Sequence, residues 1–172
     1  MQIAITVFGR NKDIELSELT KIICENECNI LGCQVVRHFD TLVGYLIVEG
    51  QWNQIVKIES MLQSQLSTLI ISIQRFEPIK DPMKYLPYSA DVVGADSIGI
   101  INKLILFFLE HSVQIEDVNS SCFTPVQTSA DLFSAHFILS IPSDSQIISL
   151  RDAFFEFCDQ LSLDAIFEPI KR

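Results

Sequence analysis

Basic residues are scarce in this 172-residue chain, where 12 Lys and Arg stand against 22 Asp and Glu and leave a formal charge of −10. A field of that sign repels phosphate backbones, so direct DNA or RNA binding is disfavoured. The charges are scattered and not blocked, which reads as a solvated acidic surface. Long hydrophobic runs are also missing. The first apolar stretch, Ile3 to Phe8, has no basic segment before it and does not fit a secretory leader. The longest, Ile98 to Leu109, is interrupted by Asn102 and Lys103 and is too short to span hydrocarbon. A cytoplasmic protein without a membrane association is the expectation.

Cysteine is limited to five positions, Cys24, Cys28, Cys33, Cys122 and Cys158, and an odd number in a chain that is 48% hydrophobic argues for reduced thiols over a disulfide framework. The spacing of Cys24, Cys28 and Cys33, with His38 nearby, matches no common zinc pattern, so these cysteines are expected to pack as small hydrophobes. Gly94 and Gly99 lack both the lysine of a phosphate-binding loop and the third glycine of a dinucleotide fingerprint. Ser120, Ser121, Asp131 and His136 contain the residue types of a hydrolytic triad, but His136 lies in an alternating strand pattern and nothing marks a nucleophile elbow. Neither catalysis, nor a metal, nor a cofactor is expected.

What the chain does contain is an internal repeat. Phe76-Glu77-Pro78-Ile79-Lys80 recurs 91 residues later as Phe167-Glu168-Pro169-Ile170-Lys171. Val7-Phe8-Gly9 matches Val92-Val93-Gly94, and Asn29-Ile30 matches Gln114-Ile115, both at an offset of 85. Gln54-Ile55 matches Gln146-Ile147 at 92, so the second copy gains residues between its middle strands, at the Thr124 to Ala130 loop.

Each copy reads strand, helix, strand, strand, helix, strand. Ile3 to Phe8 is β-branched and aromatic, and Leu16, Leu19, Ile22 and Ile23 follow at helical spacing. Cys33 to Phe39 and Val43 to Val48 flank Asp40-Thr41, a polar break suited to a hairpin. Trp52, Ile55, Ile58, Met61 and Leu62 form a second helical stripe, with Trp52 expected at the core edge, and Leu69 to Phe76 returns as a strand. In the second copy Ile101, Leu104, Ile105 and Phe108 mark a helix, and Phe133, Ala135, Phe137, Leu139 and Ile141 alternate as a half-buried strand. The run Ile105 to Leu109 is apolar nearly all round, which predicts burial, with the neighbouring domain as the expected cover. His111 is expected near a helix C-terminus. Pro78, Pro82 and Pro87 argue against a central strand around them, so Lys80 to Ser89 is read as a linker between domains at 1–79 and 90–172. The fold class is α+β: two ferredoxin-like domains in tandem, each with two helices on one face of an antiparallel sheet.

Within that arrangement Val92-Val93-Gly94-Ala95-Asp96-Ser97-Ile98-Gly99-Ile100-Ile101 resembles the first strand and loop of an ACT domain, whose loop reads Gly-x-Asp-x-Pro-Gly-Ile/Leu. Asp96, Gly99 and Ile100 match that pattern, and Ile98 replaces the proline. A glycine turn lets backbone approach a ligand, and the free N–H groups of a new helix attract a carboxylate. An amino acid carries that carboxylate, and Asp96 would accept its ammonium. The first loop, Gly9-Arg10-Asn11-Lys12-Asp13-Ile14-Glu15-Leu16, departs from the pattern, since Ile14 stands where Gly99 stands.

The resemblance implies effectors bound between the loop of one domain and the second-strand start of another. It therefore gives a stronger site of Asp96, Ser97, Ile98, Gly99, Ile100 and Asn29, and a weaker one framed by Asn11 and Gln114. With two such domains and no catalytic one, the chain resembles tandem ACT-domain transcriptional repressors. That implies a small amino acid such as glycine as ligand and a DNA-binding activator protein as partner, and a homodimer is compatible with it. The alternatives are an allosteric subunit of an amino-acid metabolic enzyme and a structural tandem whose site has decayed.

Overall fold

The structure, a computed structural model, describes residues 1–10, 13–77, 84–124 and 131–170. The chain divides into two units, Met1–Lys80 and Asp81–Arg172. In the first, the elements are β1 (Gln2–Arg10), α1 (Asp13–Glu25), β2 (Asn29–His38), β3 (Thr41–Glu49), α2 (Trp52–Gln65) and β4 (Ile70–Phe76). The second repeats the order with β5 (Tyr85–Ala95), α3 (Ile100–Glu110), β6 (Gln114–Phe123), β7 (Leu132–Pro142), α4 (Ile147–Gln160) and β8 (Leu163–Pro169). Both sheets are antiparallel, ordered β2-β3-β1-β4 and β6-β7-β5-β8. The expected pair of ferredoxin-like domains is what the chain forms.

Alternation decides which face of each sheet the helices cover. In β1, Ile3, Ile5 and Val7 point to one side with Leu42, Leu46 and Val48 of β3, and α1 and α2 close over them with Leu19, Ile22, Ile23, Ile55, Ile58 and Leu62. The second core is richer in rings. Phe154 of α4 is fully buried, with its ring 5.3 Å from Phe108 of α3 and 5.4 Å from Phe167 of β8. The matched glycines of the repeat have one shared cause: a Cβ on Gly9 would stand 2.5 Å from Leu69 Cδ2, and a Cβ on Gly94 2.4 Å from Leu163 Cδ2. Each copy needs a glycine where the leucine leading into its last strand folds over the first strand.

Four expectations are corrected. The linker reading Lys80 to Ser89 ends too late, because β5 already begins at Tyr85, and Pro87, which pairs with Ser140 of β7, lies one residue past the last β5–β8 rung, Tyr88 with Pro169. Its carbonyl accepts a hydrogen bond from Ile170 N–H at 3.0 Å, and at a ladder's end the missing N–H interrupts nothing beyond. The hairpin turn is Phe39-Asp40, with Phe39 at φ 52°, so Thr41 already belongs to β3 and β2 begins four residues earlier than Cys33. Trp52 opens α2 and is 65% exposed, away from the core edge. In α3, Leu104, Phe107 and Phe108 are buried while Leu106 and Leu109 remain exposed, because only one side of the helix meets its sheet. The Thr124 to Ala130 insertion lies outside the described residues beyond Thr124.

Phe154→Ala removes a fully buried ring that meets four others, Phe107, Phe108, Phe155 and Phe167. The expected cost is about 3–5 kcal/mol, read as a shift of the second unit's urea transition with the first unit's transition in place.

Candidate functional site

Backbone hydrogen bonds fix the loop joining β5 to α3 at both ends. Asp96 N–H donates to Asp131 O at 3.0 Å, fastening the loop to the chain entering β7. Ile100 N–H then donates to Ser97 O at 3.2 Å, closing a turn over Ser97–Ile100. Gly99 is its third residue at φ 84°, ψ 8°, the left-handed conformation that a type II turn requires there and that other residues adopt at a cost. Ile98, in the second position that proline favours, is fully exposed. Nothing lies within 4 Å of where a Gly99 Cβ would stand, so the glycine answers to backbone angle and not to crowding. The space over the turn is open.

From Gly99 the helix starts with no side-chain cap and no acid in its first turn. Past Ile100, whose N–H closes the turn, its first N–H groups carry the positive end of the helix dipole with no acid in that turn to meet it. Ile100, by contrast, is buried in the core and fixes the turn instead of facing outward. Of the loop residues expected at a site, Asp96, Ser97, Ile98 and Gly99 are the exposed ones.

Three further residues gather here that sequence reasoning missed. The Cys122 thiol, on β6, donates a hydrogen bond to the Asp96 carboxylate, and Thr124 Oγ1 donates to Asp131 Oδ1 at 2.5 Å. Although Cys122 is exposed, local desolvation raises its thiol above its ordinary pKa, and the charge of Asp96, the hydrogen bond to it and the charge of Asp131 push the same way. Two carboxylates thus stand at the end of the sheet beside an uncapped helix N-terminus.

The first unit is built differently at the equivalent place. Its first helical turn carries Glu15, which is buried with Oε1 accepting from Thr68 Oγ1 at 2.5 Å. An internal anion already complements that dipole. Asn29 opens β2 and Gln114 opens β6, both exposed, and Gln114 Nε2 donates to Tyr85 Oη at 2.8 Å. Asn29 and the Asp96 loop belong to different units, and Asn11 lies outside the described residues.

The residues that suggested a hydrolytic triad are not assembled. Ser121 pairs with Ser134 at 3.1 Å, Asp131 with Thr124, and His136 Nδ1 with Asp91 Oδ1 at 2.7 Å. His111 does close the end of α3, its Nδ1 2.7 Å from Phe107 O. Cys28 packs in the first core, while Cys24 and Cys33 are exposed, and among the described residues no three metal-ligating side chains converge. No helix among them is long and apolar enough to cross a membrane.

Residues 1–75 match the family model of the ACT domain. The chain is 22% identical over 162 residues to the glycine cleavage system transcriptional repressor of Escherichia coli (strain K12), covering 93% of this chain and 85% of that one. The Shigella flexneri repressor of the same name matches equally. Among solved structures, an unknown protein from Galdieria sulphuraria superposes with a TM-score of 0.83 at 16% identity, over 99% of this chain and 98% of that one. A structure assigned by name to a glycine cleavage system transcriptional repressor superposes with a TM-score of 0.74 at 18% identity, with the same coverage.

The charge pattern at the loop sets an expected reactivity. A raised thiol pKa means less thiolate at a given pH, so Cys122 should alkylate slowly at pH 8. Asp96→Asn removes one of the charges that raises it and should speed iodoacetamide labelling of Cys122 several-fold, followed by peptide mass spectrometry. An unchanged rate would show that the carboxylate does not face the thiol.

Proposed function

The first unit being an ACT domain and the second repeating its fold, we propose that the chain is an amino-acid-sensing regulatory protein. It holds a small amino acid at the Asp96–Ile100 loop and passes the signal to a protein partner. The observation that carries this reading is the uncapped start of α3, with its left-handed Gly99, open space over the turn and Asp96 alongside. A ligand carboxylate finds unmatched N–H groups there, and its ammonium finds Asp96, with Asp131 close by. Ser97 and Ile98 contribute exposed groups at the rim. Glycine is the amino acid that the names of the resembled repressors suggest. The glycine cleavage repressors that the chain resembles support a role in transcriptional control. A net charge of −10 supports a route through a DNA-binding protein over direct contact with DNA.

Isothermal titration with glycine tests the site. Saturable binding is expected in the full chain, with at least tenfold weakening in Asp96→Ala and in Gly99→Val, whose side chain opposes the left-handed turn and fills the space above it. Asn29→Ala is expected to weaken binding too, as the resemblance to other ACT pairs implies. Unchanged affinity in both Asp96→Ala and Asn29→Ala would remove the proposed site. A gel shift with a promoter fragment at moderate salt should show no retardation by the chain alone, and retardation would overturn the indirect route.

A further inference from the structure

The helices cover one face of the second sheet, and its other face carries a cleft of about 500 Å³ lined by Ser89, His136, Ile138, Glu168, Pro169 and Ile170. Because Ala90 and Val92 point into the core, Ser89 and Asp91 point to this open side, where the register sets Asp91 beside His136 and Ser89 beside Glu168. Ser89 is only 8% exposed, yet its hydroxyl makes no hydrogen bond to any described group. Its oxygen is not sealed from solvent, so the hydroxyl stays available to something that enters the cleft.

The neighbouring groups say what that something is. Asp91 Oδ1 lies 2.7 Å from His136 Nδ1, so in the neutral ring Nδ1 donates to Asp91 and Nε2 is left as an acceptor. Glu168 adds a carboxylate, and Ser89 Oγ has lone pairs to spare. Asp117 and Asp164 share this face, and none of its strand residues is Lys or Arg. Three separate acceptors around a negative cleft suit a compact group with three N–H donors, which is an ammonium and not the planar fork of a guanidinium. Ile138, Pro169 and Ile170 supply apolar wall for a carbon stem. The His136–Asp91 pair does not activate Ser89 as a nucleophile, since no hydrogen bond joins the hydroxyl to the ring.

We infer that this cleft is a binding site for a primary alkylammonium group. It is distinct from the Asp96–Ile100 loop and independent of the function proposed for that loop. The group is either a free amine or a lysine side chain presented by another protein.

Amide NMR titrations of the full chain with n-butylammonium chloride and with an acetylated peptide carrying one lysine test it. Saturable shifts at Ser89, His136, Ile138 and Glu168 are expected with one or both probes. Affinity should fall at least tenfold in Ser89→Ala and Glu168→Gln, and stay unchanged in Asp164→Asn, on the same face near the other end of β8. Tighter binding of the peptide assigns the source to a protein lysine, and tighter binding of butylammonium to a free amine. Tetramethylammonium, with the same charge and no N–H, should leave these amides unmoved. Equal shifts with tetramethylammonium, indifference of both cleft variants, or no saturation with either probe overturns the proposal. Retained binding in Asp96→Ala keeps this outcome separate from the fate of the loop site.

Discussion

The pairing of the first strand with the third, β1 with β3 and β5 with β7, is the constraint on which each unit rests. These strands lie at the centre of their sheets, and a slip of one residue would turn Ile3, Ile5 and Val7, or Ala90 and Val92, away from the helices. Both helices lie on one side, so each sheet keeps a second face whose residues answer to something other than the core. The copies have diverged most on that face. In the first unit, Val36, Val43, Phe8 and Ile70 line up across all four strands as an exposed apolar row, whereas the second presents Ser121, Asn119, His136, Asp91 and Asp164. Burial keeps the inner faces of both units apolar, and the outer faces are free to specialise.

Much of this architecture could be read from residue types because burial and backbone angle act locally. The alternation Phe133, Ala135, Phe137, Leu139, Ile141 survives unchanged as the buried side of β7, and Gly99 stands out because a left-handed turn asks for glycine. Where reading failed, a longer-range fact decided. Pro87 looked like a strand breaker until the end of β8 left it one residue past the last β5–β8 rung, and Trp52 looked like a core-edge residue until the helix start turned it outward. Cys122 and Asp131 reach Asp96 only once β6 and β7 are laid beside β5. No spacing in the chain announces that meeting, and the same holds for Asp91 and His136, which are 45 residues apart and opposite each other in register.

The difference between the two loops is a difference in who supplies the anion. A helix start is satisfied by a carboxylate wherever it comes from, and a protein that places Glu15 in its own first turn has closed that position to solution. The second unit has no acid in the first turn of α3 and makes the turn with a glycine, the residue that the left-handed angle favours.

Magnitudes then bear on what such a site is good for. A carboxylate at an exposed helix start contributes about 0.3–1 kcal/mol, and each hydrogen bond to a charged group about 1.5–3 kcal/mol. On the proposed reading a glycine molecule makes few such contacts and buries almost no apolar surface. A millimolar dissociation constant already requires about 4 kcal/mol, so the contacts of this loop suffice for weak binding and not for tight capture. Weak binding is what a sensor of an abundant metabolite needs, because occupancy then follows concentration instead of staying saturated. A shallow turn with Gly99 at its crest and Asp96 at its flank is suited to that task in a way that an enclosed cavity would not be.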